Sequence, residues 1–141
     1  MKFDYDKKEF TQEEKDILLK ESELLCEKYP NSIPVLIQLN SNVLKIDKHK
    51  FLIKDDVNVN YYFDVLKTKL INFNSNDTLI ISVSKFNKNG KKVSTPVKSQ
   101  SKLLKDFYLE NKDPSTGMLI FTVSRQTTVK WVKGLVSYYL N

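Results

Sequence analysis

The sequence predicts an α+β domain, with helices laid against a four-stranded mixed sheet. Two segments, residues 11–28 and 59–70, repeat their apolar residues at the period of a helix. Several short runs alternate apolar side chains, or are apolar throughout, as strands do. The 141 residues, 40% hydrophobic and 28% charged, suit one domain with one core.

The elements follow in order. Thr11 can cap the first helix, and Glu14 three positions on completes a capping-box pattern. Ile17, Leu18, Leu24 and Leu25 fall on one helical face, with Glu21 in its middle. A carboxylate is costly to bury alone, so Glu21 either lies at the rim of that face or meets a cation. Tyr29-Pro30-Asn31-Ser32 ends the helix. In the strand 33–39, Ile33, Val35, Ile37 and Leu39 share a face. Pro34 and Leu36 make the other face apolar at its start, and the first helix is the natural cover. Residues 40–42 read as a turn and 43–54 as a second strand, strongest at Phe51-Leu52-Ile53. The helix over 59–70 puts Val59, Phe63, Leu66 and Leu70 on a core stripe, with Tyr62 and Val65 at its shoulder. Leu79-Ile80-Ile81-Ser82-Val83 is a third strand. Residues 87–101 are polar, lysine-rich and loop-like, with a turn at Asn89-Gly90. Leu103, Leu104, Phe107 and Tyr108 make a short helix, and residues 118–123 a fourth strand. Residues 124–141 carry Trp131, Tyr138 and Tyr139, and fit no single element. Without the first helix, the order is strand, strand, helix, strand, short helix, strand. That is the order of a ubiquitin-like β-grasp sheet, to which the first helix adds an N-terminal extension.

Composition narrows the function. A net charge of +6 favours acidic partners. Arg125 is the one arginine, and there is no zinc spacing, ribonucleoprotein aromatic motif or glycine-rich phosphate loop, so nucleic acid is not an expected partner. Cys26 has no second cysteine to pair with, which fits a reducing compartment. The charged N-terminus is unlike a signal peptide, and no apolar run approaches the ~20 residues of a membrane span, so the expectation is cytoplasmic. His49 stands alone among lysines, and no nucleophile–base pair or carboxylate pair is evident. No catalytic residue, metal site or cofactor is expected.

Several segments resemble one family in order and spacing. Lys28-Tyr29-Pro30-Asn31-Ser32-Ile33-Pro34-Val35 is similar to the KYPxRIPV segment of the GABARAP, or autophagy-related protein eight, family. Asp47-Lys48-His49-Lys50-Phe51-Leu52-Ile53 resembles its DKKKYLV strand, and Asp56-Val57-Asn58-Val59 its DLTV segment. The opening Met1-Lys2-Phe3-Asp4-Tyr5 is similar to its MKFxY start. The resemblance extends to about Val129. It implies a domain over 1–129, with two N-terminal helices inside 1–28 and a β-grasp core over 33–124, followed by a tail over 130–141.

The resemblance also implies a docking role. Family members bind aromatic-x-x-aliphatic peptides as an added strand, with two apolar side chains in adjacent pockets. By position, the first pocket is Glu21, Leu25, Pro34, Leu36, Lys50, Leu52 and Met118. The second is Phe51, Ile53, Val57, Tyr62 and Val65. Lys48, Lys50, Lys67 and Lys69 would meet acidic residues flanking the motif. The implied partners are motif peptides of cargo receptors or autophagy machinery, with conjugation enzymes and a phospholipid, at autophagosomal or related membranes. Ser32 and Lys54 depart from the family's arginine and proline. So does the C-terminus: Val129-Lys130 falls where an aromatic-glycine end belongs, which leaves Gly134 as the conjugation candidate. Alternatives are a protein-conjugated or non-covalently bound modifier resembling autophagy-related protein twelve, whose tryptophan near the end Trp131 matches, and an unconjugated ubiquitin-like scaffold.

Overall fold

The computed structural model describes residues 3–74, 77–98, 100–128 and 139–140. Helix α1 spans Gln12–Lys28. Its capping box is complete: Thr11 Oγ1 accepts from the Glu14 amide (3.1 Å), and the Thr11 amide donates to Glu14 Oε1 (2.8 Å). The face it buries is rotated from the one the apolar spacing indicates, with Leu18 common to both and Leu25 half-buried. Lys15, Leu18 and Ser22 are buried, whereas Ile17 and Leu24 are 43% and 64% exposed. Small size at position 22 sets this rotation. Ser22 Oγ shares its one proton between the carbonyls of Leu19 (2.8 Å) and Thr116 (2.9 Å), which draws the helix onto the loop before the last long strand. Gly117 makes the approach possible. Its φ is +68°, and a Cβ there would collide with Ser22 Oγ. Lys15 is tolerated inside because its ammonium lies 4.8 Å from the centre of the Phe86 ring.

The strands are β1 (Ser32–Leu39), β2 (Lys45–Ile46), β3 (Lys50–Lys54), β4 (Leu70–Ile71), β5 (Thr78–Phe86), β6 (Lys92–Pro96), β7 (Leu119–Thr128) and β8 (Tyr139–Leu140). Helix α2 is Val59–Lys69 and α3 is Leu104–Asn111. The main sheet runs β3-β1-β7-β5-β6, with β1 and β7 parallel and the other neighbours antiparallel. β8 pairs with the end of β7.

Three expectations are corrected. The sheet has β6 in addition to the four strands predicted. Its side chains are largely exposed, and Val93 and Pro96 are its only apolar ones and fall on opposite faces, so no apolar alternation marks it. The Asn89-Gly90 turn forms it: Asn87 Oδ1 accepts from the amides of Asn89 (2.9 Å) and Lys91 (3.0 Å), and Gly90 takes φ +81°. The predicted strand 43–54 is two strands. Leu44 and Ile46 turn into the core, and β2 pairs with β4 rather than continuing into β3. Among the described residues there is one N-terminal helix, not two. The segment before α1 is an irregular stretch with a turn at Tyr5–Asp6, tied to β1 instead: Gln38 Nε2 donates to the carbonyls of Tyr5 (2.8 Å) and Lys7 (3.1 Å), and Asp6 Oδ1 accepts from the Leu39 amide (2.8 Å).

The sheet separates two apolar clusters. The larger lies under α2 and α3, and includes Ile33, Val35, Ile37, Val59, Leu66, Leu104 and Phe121. The smaller lies under α1, and consists of Phe10, Leu18, Leu36, Phe86, Met118 and Ile120. As expected from its sequence, β1 is covered on both faces.

Candidate functional site

β3 is an outer strand of the main sheet, and its pairing with β1 decides which backbone groups remain outside. The Ile37 amide donates to the His49 carbonyl (2.7 Å), and the Asp55 amide to the Asn31 carbonyl (2.9 Å). Antiparallel pairs alternate, so Phe51 and Ile53 direct their amides and carbonyls toward β1. Lys50, Leu52 and Lys54 direct theirs away from it. Pro34, opposite Leu52, falls at a position that spends no amide on β3. Among the described residues, no strand pairs with the outer side of β3.

The side chains of β3 divide between the two faces of the sheet. Lys50 and Leu52 point toward α1. Lys50 Nζ contacts both carboxylate oxygens of Glu21 (2.8 and 2.9 Å), so Glu21 is at a rim and also meets a cation. The Lys50 ammonium also stands 5.4 Å from the centre of the Tyr5 ring. Burial alone would depress its pKa. Hydrogen bonding to Glu21 and to Tyr5 outweighs burial and leaves the pKa raised. Leu52 is 37% exposed and Leu25 is half-buried. Pro34, Leu36 and Met118 are buried beneath them. Of the seven residues assigned to the first pocket, Glu21, Leu25, Lys50 and Leu52 are therefore accessible, and the other three form a closed floor. Leu36 and Met118 belong to the buried cluster under α1.

Phe51 and Ile53 point to the other face and pack, with Val57, against the larger core while staying partly open. Val65 is likewise half-buried. Tyr62 is buried, with its ring 6.0 Å from Phe121, so it backs this hollow and does not line it openly. Beside Phe51 is a concavity of about 230 Å³ lined by Ile46, Asp47, Lys48 and Lys69. Lys48, Lys50 and Lys69 thus stand around the β3 edge. Lys67 does not: it lines a separate hollow with Asn60, Phe63 and Asp64, and its ammonium is 3.9 Å from Asp64. Two residues of helix turn it some 200° from Lys69.

Sequence reasoning missed the N-terminal segment as part of this surface. Tyr5 stacks on His49 at 5.3 Å between centroids and on Phe3 at 4.7 Å, and Asp6 lies 3.2 Å from His49 Nε2. The signal was the alternation of Phe3 and Tyr5 with polar residues, a strand-like period in a segment assigned to a helix. Gly134 and Trp131 lie outside the described residues.

Helices on both faces of a mixed β-grasp sheet, with α1 added in front of it, define a ubiquitin-like protein. The solved structures include a match to the crystal structure of Trypanosoma brucei ATG8, with a TM-score of 0.62 and 23% identity, covering 92% of this chain and 100% of that one. No curated protein sequence matches significantly. Residues 18–130 match the family described as "Autophagy protein Atg8 ubiquitin like". The chain belongs to the Atg8 family of autophagy ubiquitin-like proteins, which are non-enzymatic modifiers.

Proposed function

We propose that this chain is a docking module that takes aromatic-x-x-aliphatic peptides as an added strand along β3. One observation carries the reading: the outward backbone groups of Lys50 and Leu52 run between apolar hollows on opposite faces of the sheet. Residues three apart in an extended peptide point to opposite faces. A motif with that spacing therefore sends one large side chain toward Leu25 and Leu52 and the other toward Phe51, Ile53 and Val57. Main-chain hydrogen bonds would supply affinity, and the hollows specificity. Lys48, Lys50 and Lys69 favour acidic residues beside the motif, adding modest energy and faster association. Entry of an apolar side chain beside Glu21 would part or reposition the Glu21–Lys50 pair. Acidic flanking residues then give Lys50 a new partner.

The partners that fit are motif-bearing segments of cargo receptors or autophagy machinery, met in the cytoplasm or at autophagosomal or related membranes. Attachment to a phospholipid through Gly134, by conjugation enzymes, would hold the module there. The test is a titration with an acidic aromatic-x-x-aliphatic peptide, followed by amide shifts. The expected outcome is movement of Lys50, Phe51 and Leu52, weakened about tenfold by Leu52→Ala. Silence of those three amides at millimolar peptide would end the docking reading.

A further inference from the structure

The two-stranded ribbon of β2 and β4 has faces of opposite character. Ile46 and Leu70, paired across it, are buried in the larger core. Lys45 and Ile71, the next pair, look outward. Val43 lies two positions before Lys45, on the same side, and Asn72 Nδ2 reaches back to its carbonyl at 3.3 Å. Val43 is 39% exposed and Ile71 49%. Lys45 is exposed opposite Ile71, and the exposed Lys48 and Lys69 line the adjoining hollow beside Phe51 with Asp47.

The ribbon's place in the fold adds direction. β1 and β7 are parallel, Leu39 pairs with Val123, and the Asn40 amide donates to the Val123 carbonyl (2.8 Å). The chain then passes into the ribbon, and beyond β4 it returns at Thr78, which pairs with Gln126. The ribbon therefore lies at the end of the sheet toward which β7 runs. The C-terminal residues Tyr139 and Leu140 pair with Thr128 and Thr127 at that same end.

We propose that this ribbon is a membrane-contacting surface for anionic phospholipid, with Val43 and Ile71 entering the headgroup layer and Lys45, Lys48 and Lys69 meeting its negative charge. Exposed aliphatic side chains gain by leaving water, and lysines gain from the surface potential while keeping their ammonium groups at the headgroups. The patch is too small for a specific protein interface, which buries roughly 1,200 Å² or more. A bilayer needs no complementary shape. Contact through so few groups is weak alone and becomes effective when a second attachment holds the chain at the surface. The proposal goes beyond peptide docking: it shares Lys48 and Lys69 with the β3 edge, while Val43, Lys45 and Ile71 lie off that edge and test it separately.

The test uses the full chain with phosphatidylcholine vesicles, with and without phosphatidylserine, carrying a headgroup spin label. The expected result is amide broadening at residues 43–48 and 69–72 that requires phosphatidylserine. The bound fraction falls about tenfold in a Val43→Asp, Ile71→Asp double variant. It falls about fivefold in Lys45→Gln. Unchanged amide shifts at the core residues Val35 and Phe121 would show that both variants remain folded. Absence of broadening, equal broadening on uncharged vesicles, or broadening centred elsewhere overturns the proposal. So does concentration-dependent broadening without vesicles, which would assign the patch to a second copy of the chain.

Discussion

Tyr62 carries its hydroxyl into the core between Phe63 and Phe121, at ring-centroid distances of 6.5 and 6.0 Å. That oxygen has no hydrogen-bond partner among the described residues. Burying a hydroxyl without a partner costs about 1–3 kcal/mol, so Tyr62→Phe is expected to stabilise the protein by about 1 kcal/mol at neutral pH. Burial also holds the phenol's pKa well above its ordinary value near 10. Tyr108, pushed up to about 12 by burial and by Cys26, acts in the same direction. A raised folded-state pKa contributes stability that is complete below the unfolded pKa and is lost as pH rises above it. The wild type should lose stability above about pH 10, and Tyr62→Phe should lose less. Urea midpoints at neutral and alkaline pH check both statements. A destabilised Tyr62→Phe at neutral pH would mean that the hydroxyl has a partner.

Between α3 and β7, a buried carboxylate organises the loop that α1 rests on. Asp113 Oδ2 accepts from Ser115 Oγ (2.8 Å), the Thr116 amide (3.1 Å) and Thr116 Oγ1 (2.7 Å). Its Oδ1 accepts from the Phe86 amide (3.0 Å), which joins the loop to β5. The loop in turn presents the Thr116 carbonyl to Ser22 and the Gly117 backbone beneath the helix. Asp113→Ala leaves several buried donors unpaired and is expected to cost about 3 kcal/mol, read from chemical denaturation. Because α1 carries Glu21 and Leu25, peptide affinity at β3 should fall as well. A variant of wild-type stability would show that the carboxylate does not hold the loop. The sequence marked this stretch as a loop, but nothing local distinguished Asp113 from a surface turn residue. Its four hydrogen bonds include one to Phe86, a neighbour only in space.

Taken whole, the molecule places β3, the proposed docking edge, at the outside of the main sheet and directs β7 toward another end of that sheet. Among the described residues, β8 pairs with β7 and no strand pairs with the outer side of β3. Processing at Gly134 is proposed to leave the peptide site intact. The expected outcome is a membrane-fraction species whose intact mass corresponds to a chain ending at Gly134 plus a phospholipid, and which still binds the peptide. Full-length chain ending at Asn141 in both membrane and soluble fractions would remove the conjugation proposal. The peptide test would remain as it stands.

The local chemistry of the sequence settled which segments became helices and most of the strands. Thr11 and Glu14 announce the start of α1, the spacing of Val59, Phe63 and Leu66 announces α2, and alternation in β1 and β7 announces strands. These are short-range effects, governed by capping groups and by side-chain period. Pairing and helix rotation were decided by tertiary structure. β6 is largely exposed and exists because the Asn89-Gly90 turn folds it onto β5. β2 left β3 because burial of Leu44 and Ile46 outweighed continuation of one strand. α1 turned Ile17 and Leu24 outward because Ser22 and Gly117 allow close approach on a different face. The same distinction runs through the site. Of the residues assigned to the proposed site, Pro34, Leu36, Met118 and Tyr62 proved to be buried, and Lys67 turned aside. Accessibility depends on what packs above a residue, and a linear pattern does not contain that information.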